Sequence, residues 1–190
     1  MENLNSLTNE AFNTSSDYLS LIENSILGSK DSFAELIFLN KEYLYKTAFL
    51  YVKTEVDALE IYSETVYKAY ISIHKLKNPN FFKTWITKIL INNAYSKLNN
   101  KNKFIDLDCI KNKFTKENTI SIEDKLDLYN AIDNLKPKYK TAIILKYFQN
   151  LSIKEISLVM NCKENTVKSY IYRAKDMLLK YLKEGYDFNE

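Results

Sequence analysis

Residues 81–103 have side chains suited to binding a polyanion rather than to catalysis. The segment contains five lysines, the chain's only tryptophan, several asparagines and no acidic residue. Apolar residues recur along it at helical spacing, so the lysines and asparagines are expected on the other side of a helix. A basic helix face without carboxylates favours a partner such as nucleic acid.

A second set of candidate binding residues lies on a predicted helix near the C-terminus. Its apolar face holds Val167, Ile171, Ala174 and Leu178. Its opposite, polar face holds Lys168, Ser169, Tyr172, Arg173 and Lys175. Arg173 is the only arginine in the chain. Because the planar guanidinium can bind O6 and N7 of guanine with two parallel hydrogen bonds, this face is suited to reading DNA bases.

The residues before this helix predict a helix-turn-helix. Ser152 and Glu155 form a capping-box pattern, which starts a helix at Ile153 and carries it to about Met160. The connection NCKE has a length typical of this motif, and Asn161 accepts the left-handed conformation that a tight turn needs. The pattern favours a recognition helix in the DNA major groove. An ordinary helical hairpin with a basic solvent face is the alternative.

Charge is distributed unevenly along the chain, although its net value is only +3. Residues 31–64 hold seven acids and three lysines, giving −4, whereas residues 136–180 hold ten cations and three acids, giving +7. Different surfaces are therefore expected to meet different partners. Asp57, Glu60 and Glu64 are spaced to share one helix face. Taken alone, they indicate a solvated face.

The sequence has no arrangement typical of an active site, a metal centre or a membrane span. It contains one histidine, His74, and two distant cysteines, Cys109 and Cys162, which support neither a zinc site nor a disulfide framework. A glycine-rich phosphate loop is missing, and no apolar run approaches the roughly 18 residues of a spanning helix. We therefore expect a soluble, cytoplasmic protein that is not an enzyme and has no cofactor, metal or membrane insertion.

The low glycine and proline content predicts that the candidate binding residues lie on helices. Two glycines and two prolines in 190 residues argue against a turn-rich β architecture. We predict an all-α fold of two small helical domains joined by a flexible linker, with the helix-turn-helix in the second domain. The predicted limits are a flexible N-terminal arm at 1–16, a first domain at 17–99, a linker at 100–120 and a second domain at 121–184.

Three stretches resemble the extracytoplasmic-function (ECF) sigma factors, the minimal sigma subunits of bacterial RNA polymerase. Residues 135–178, from LKPKYKTAIILKYFQN to TVKSYIYRAKDML, are similar to the family's C-terminal domain. DALEIYSETVYKAY, at 57–70, resembles the helix that docks on polymerase. FFKTWITKILINNAYSKL, at 81–98, resembles the promoter-melting segment. The motifs follow the family's order and lie on both sides of the predicted linker.

The resemblance implies roles for the candidate residues. The first domain is expected to bind core RNA polymerase and to open the −10 element, and the second to read the −35 element with the polar face of its recognition helix. The implied −10 contacts are Lys88, Asn92 and Lys97. Asn92 ends the family's W-x-x-x-I-x-x-N pattern and is implied to read a flipped base, whereas Trp85 is assigned mainly to the core. The implied contacts to a basic coiled coil of polymerase are Asp57, Glu60 and Glu64.

The expected partners are therefore core RNA polymerase and promoter DNA, through its −35 and −10 elements. An anti-sigma protein is a further candidate, because many members of the family are held inactive by one. Two alternatives stay open at the level of the sequence. A free-standing helix-turn-helix regulator would bind duplex DNA without polymerase and favour palindromic sites. A helical protein-interaction module, such as an adaptor or immunity protein, would bind no DNA at physiological salt.

Overall fold

The structure, a computed structural model, describes residues 15–104 and 122–186, and every secondary-structure element in those two ranges is helical. The all-α prediction is confirmed. The chain divides into two compact units, with the division between Ala94 and Tyr95. Most of the predicted arm and most of the predicted linker lie outside the described residues.

Four helices begin in the first unit: α1 (Ser15–Ile26), α2 (Lys30–Val52), α3 (Glu55–Ser72) and α4 (Phe82–Phe104). Short 3-10 turns at Ile73–Lys75 and Pro79–Phe81 connect α3 to α4. The helix α4 thus extends to residue 104, beyond the point where the sequence places the start of the linker.

Local side-chain chemistry sets the ends of these helices. Gly28 ends the α1 segment with φ of 101°, a left-handed conformation that glycine adopts without steric cost. The Ser29 hydroxyl then accepts a hydrogen bond from the Ser32 N–H at 3.2 Å and caps α2. Thr54 caps α3 in the same way.

The core of the first unit is built from one face of each helix. Its buried members include Phe33, Leu36, Leu44, Ala48, Ala58, Ile61, Phe82, Ile86, Leu90 and Ala94. Tyr70 lies at the margin of this core, where it is 44% exposed and its ring meets the Phe33 ring at a centroid distance of 5.3 Å. Its position at the margin of the core explains this exposure.

The second unit contains α5 (Ile122–Asp133), α6 (Pro137–Ile143), α7 (Ile153–Met160) and α8 (Glu164–Tyr186). Pro137 occupies the first turn of α6, where its missing N–H costs no hydrogen bond. A wider π-type turn, Ile144–Phe148, follows α6 directly. The main buried cluster consists of Ala131, Ile132, Leu135, Tyr139, Ile143, Ala174 and Leu178. Val167 and Ile171 of α8 are also buried, which confirms the predicted apolar face of that helix.

The helix-turn-helix forms as the sequence predicts. The Ser152 N–H donates to Glu155 Oε2 at 2.8 Å and the Glu155 N–H donates to Ser152 Oγ at 3.2 Å, which completes the capping box of α7. Asn161 follows α7 with φ of 50° and ψ of 50°, the expected left-handed conformation. Because Glu164 is already helical, the connection is one residue shorter than the four predicted.

Replacing Asn161 by alanine should destabilise this turn by about 1 kcal/mol, because a left-handed backbone is unfavourable for alanine. Asn161→Gly is the matched control and should keep the stability of the turn, since glycine adopts positive φ freely. The only tryptophan, Trp85, lies in the other unit, so amide hydrogen exchange of α7 and α8 is the appropriate measurement. Equal protection in the two variants would contradict this role for Asn161.

Candidate nucleic-acid interface

The polar face of α8 is open to solvent, as a DNA-reading surface requires. All five candidates are exposed: Lys168, Ser169, Tyr172, Arg173 and Lys175. Tyr172 has 76% of its surface accessible. The Ser169 hydroxyl donates to the Asn165 carbonyl oxygen at 2.9 Å, which leaves its lone pairs for an incoming donor. The helix can therefore present this face to a groove without losing its buried face.

Arg173 lies beside a tyrosine that sequence reasoning missed. The guanidinium of Arg173, with the nearby positive charges of Lys138 and Lys136, lowers the pKa of Tyr139. The Tyr139 ring is buried and meets the Tyr170 ring edge-on at 5.6 Å.

The helix α4 exposes two of its three candidate contacts. Lys88 and Asn92 are exposed and one helical turn apart, whereas Lys97 is half-buried. Trp85 is half-buried with its ring centroid 5.9 Å from that of Phe82, which agrees with its assignment to packing. The acid-free side of α4 is thus accessible at the position where the family pattern places a base-reading asparagine.

Asn93, the residue after Asn92, is buried and bridges two helices. Its Nδ2 donates to Thr65 Oγ1 at 3.1 Å, and its Oδ1 accepts a hydrogen bond from Lys68 Nζ at 2.7 Å. The sequence carried a signal for its burial, because Asn93 lies three and seven residues after the buried Leu90 and Ile86. Its partners on α3 could not be read from that spacing.

Two of the three acidic candidates on α3 are exposed and one is not. Glu60 and Glu64 face solvent, but Asp57 is only 7% exposed, so the predicted exposed face is wrong for this residue. The reason is local: Thr54 Oγ1 donates to Asp57 Oδ2 at 2.5 Å and accepts from the Asp57 N–H at 3.3 Å. Asp57 therefore serves the N-terminal cap of α3, where a carboxylate is favourable.

Exposed apolar side chains share the outer face of α3 with these acids. Val56 and Tyr67 are 76% and 61% exposed, and Leu59 and Ile71 are each more than half exposed. Several large apolar groups on one surface helix indicate a protein-binding surface. Sequence reasoning considered only the charged residues of this helix and missed these.

The described residues show neither a metal centre nor a membrane span. No group of three or more His, Cys, Asp or Glu side chains within 15–104 and 122–186 could hold a metal ion. None of the helices in those ranges is both long and apolar enough to cross a bilayer.

Comparison with known proteins identifies the family. The model of "Sigma-70 region 2" matches residues 36–104, and that of "Sigma-70, region 4" matches residues 125–178. The chain is 36% identical over 139 residues to RNA polymerase sigma factor SigV of Bacillus subtilis, covering 73% of this chain and 84% of that protein. It is 26% identical over 172 residues to ECF RNA polymerase sigma factor SigW of the same organism, covering 83% of this chain and 92% of SigW. The chain belongs to the ECF sigma factors of the sigma-70 family.

Solved structures show the same fold. CnrH, in a complex with the cytosolic domain of CnrY, superposes with a TM-score of 0.68 at 16% identity and covers 87% of this chain and 97% of its own. The sigma factor RpoE of Bartonella quintana, in a complex with the anti-sigma factor NepR, superposes with a TM-score of 0.65 at 21% identity. The match covers 82% of this chain and 98% of the RpoE chain.

Family membership settles the broad function. The protein is an RNA polymerase sigma factor that directs promoter-specific transcription initiation, and the free-standing regulator is not favoured. The resemblance stated from the motifs is confirmed by matches on both sides of the predicted linker.

The Tyr139–Arg173 contact can be tested through the tyrosine. Arg173→Ala should raise the pKa of Tyr139 toward its ordinary value, because the guanidinium that lowers it is lost. The lowered pKa of Tyr139 stabilises the folded protein at pH values above 10.0, the ordinary pKa of the unfolded side chain. This stabilisation is lost as the pH falls through the lower pKa of the folded state. The difference in stability between Arg173→Ala and the native protein should therefore appear only in alkaline solution.

The measurement is an NMR titration of ring-labelled tyrosine, with Tyr139→Phe to assign the signal. Lys168→Ala, another exposed cation of α8, is the control and should leave the Tyr139 titration unchanged. If the Tyr139 titration of Arg173→Ala coincides with that of the native protein, the guanidinium does not affect the Tyr139 hydroxyl.

Proposed function

We propose that three helices of this sigma factor each make a different contact during transcription initiation. The outer face of α3 docks on core polymerase, α4 captures the opened −10 element and α8 reads the −35 element. The observation that carries the proposal is that α8 exposes all five candidate residues while burying the four apolar residues opposite them. The proposal follows the order of the two matched sigma regions along the chain.

The −35 contact is assigned to Lys168, Ser169, Tyr172, Arg173 and Lys175. Arg173 is the residue best suited to base specificity, because its fork can bind guanine O6 and N7 together. The lysines supply phosphate contacts, which orient the helix and make binding sensitive to salt.

The −10 contact is assigned to Lys88, Asn92 and Lys97. Lysines on this side release counterions from the DNA, whereas a carboxylate would repel phosphate, which explains why the segment lacks acids. Asn92 captures a base that has left the stack. Its hydrogen bonds offset part of the few kcal/mol that flipping costs.

The polymerase contact is assigned to Glu60 and Glu64, with the apolar Val56 and Tyr67 beside them. Acidic side chains steer the helix toward a basic coiled coil, and the apolar side chains add surface that is removed from water on docking. Asp57 instead supports the Thr54 cap of α3.

The remaining assignments follow from this role. The protein supplies no catalytic group, because nucleotide polymerisation belongs to the polymerase, and it acts in the cytoplasm with that enzyme. An anti-sigma protein is a candidate partner, since RpoE was solved with the anti-sigma factor NepR.

The direct test mixes the full chain with bacterial core polymerase and measures run-off transcription from a genomic promoter library. Specific transcripts are expected, and Arg173→Ala and Asn92→Ala should each weaken them. If the chain gives neither transcripts nor core binding but shifts duplex DNA alone, the proposal fails.

Neutralising the acids of α3 tests the docking face. The double variant Glu60→Gln/Glu64→Gln should bind core polymerase roughly tenfold more weakly at low salt, with a smaller difference at high salt, because opposite charges attract over a distance that salt shortens. Fluorescence anisotropy of a labelled chain gives the affinity.

Glu42→Gln is the matched control, because Glu42 is an exposed acid of α2 paired with Lys46, much as Glu64 is paired with Lys68. It should bind as the native chain does. The control removes one charge and the double variant removes two, so a loss of binding free energy in Glu42→Gln that reaches half that of the double variant would mean that only net charge matters, and the α3 assignment would be wrong.

A further inference from the structure

Asn93 connects the helix assigned to polymerase with the helix assigned to DNA. Its amide meets side chains of α3 on both sides: Nδ2 lies 3.1 Å from Thr65 Oγ1 and Oδ1 lies 2.7 Å from Lys68 Nζ. The same lysine amine lies 3.0 Å from a carboxylate oxygen of Glu64. A continuous polar path therefore runs from the outer face of α3 to the residue next to Asn92.

The bridge fixes the rotation of α4 about its own axis. Asn93 is 6% exposed, so rotating α4 would break a buried hydrogen bond to Thr65 and a partly buried one to Lys68 and would leave the amide unsatisfied inside the protein, which is costly. Asn92 lies one residue, or about 100°, around the helix. The direction in which Asn92 projects is thus set by the position of Asn93.

A second buried asparagine shows that this arrangement is not a general property of buried amides. Asn40 donates to the Leu36 carbonyl oxygen of its own helix at 2.7 Å, and both ends of its amide meet the single hydroxyl of Tyr18, with Nδ2 at 3.0 Å and Oδ1 at 3.3 Å. Its side chain is satisfied partly within α2 and at one point of α1. Asn93 instead meets two side chains of α3 that lie one helical turn apart, Thr65 and Lys68, which defines a register between α3 and α4.

We propose that Asn93 is a positioning residue for promoter opening: through Thr65 and Lys68 it holds Asn92 in the orientation that captures the flipped −10 base. The inference rests on the proposed function of Asn92. Asn93 does not touch DNA itself. Its hydrogen bonds to α3 fix the orientation of α4 relative to α3, the helix proposed to be held in place on polymerase.

The test is a double-mutant cycle on promoter opening by the full chain bound to core polymerase. The probe is a promoter recovered by run-off selection, with 2-aminopurine in its −10 element to report base unstacking. Asn93→Ala should reduce the opening rate about fivefold in the native background but less than about twofold in the Asn92→Ala background, because coupled residues are not additive.

Thr65→Val keeps the shape of the α3 partner and removes its hydroxyl. It should therefore reduce the opening rate, by less than Asn93→Ala does, without any substitution in α4. Asn40→Ala is the matched control for stability, since it also removes a buried bridging amide from the first unit. It should leave the opening rate of the folded, core-bound fraction unchanged. Core affinity and circular dichroism define that fraction for each variant.

The outcomes separate the inference from the proposed function. If Asn93→Ala slows opening equally with and without Asn92, or if Asn40→Ala slows it as much, Asn93 is only structural and the inference is overturned while Asn92 keeps its role. If Asn92→Ala itself leaves opening unchanged with core binding intact, Asn92 does not capture a base, and both statements fall.

Discussion

A helix that binds a partner on one side must keep its other side buried, and this constraint applies to α3, α4 and α8 in the function proposed for them. On α8 the exposed Arg173 and the buried Ala174 are adjacent in the chain, and on α4 the exposed Asn92 and the buried Asn93 are adjacent too. A rotation of either helix by about 100° would move the exposed residue into the protein and the buried one out of it. The binding surfaces therefore exist only while packing fixes the rotation of each helix.

Apolar packing provides most of the burial, but polar contacts define the rotation more sharply because they are directional. Asn93 places α4 against Thr65 and Lys68. Such contacts add specificity to cores whose Leu, Ile and Ala side chains would tolerate several arrangements. Each unit is small, so binding to a partner should raise its apparent stability further.

Features that depend on sequence neighbours could be predicted, and those that depend on distant partners could not. The capping box of Ser152 and Glu155 and the left-handed Asn161 are local, and both were predicted. The contact of Arg173 with Tyr139 joins residues far apart in sequence, so spacing could not reveal it. Asp57 is a different case: Thr54 three residues earlier signalled a cap, but the carboxylate was interpreted as surface charge.

The central claim is that one compact unit presents α3 to polymerase and α4 to the −10 DNA at the same time. Site-specific photo-crosslinking in the open complex tests it most directly, with p-benzoylphenylalanine replacing the exposed Tyr67 of α3 or the exposed Lys88 of α4. We predict that the probe at 67 links to the largest polymerase subunit and the probe at 88 to the −10 region of the promoter. Crosslinks from 67 to DNA, or from 88 only to polymerase, would contradict the account.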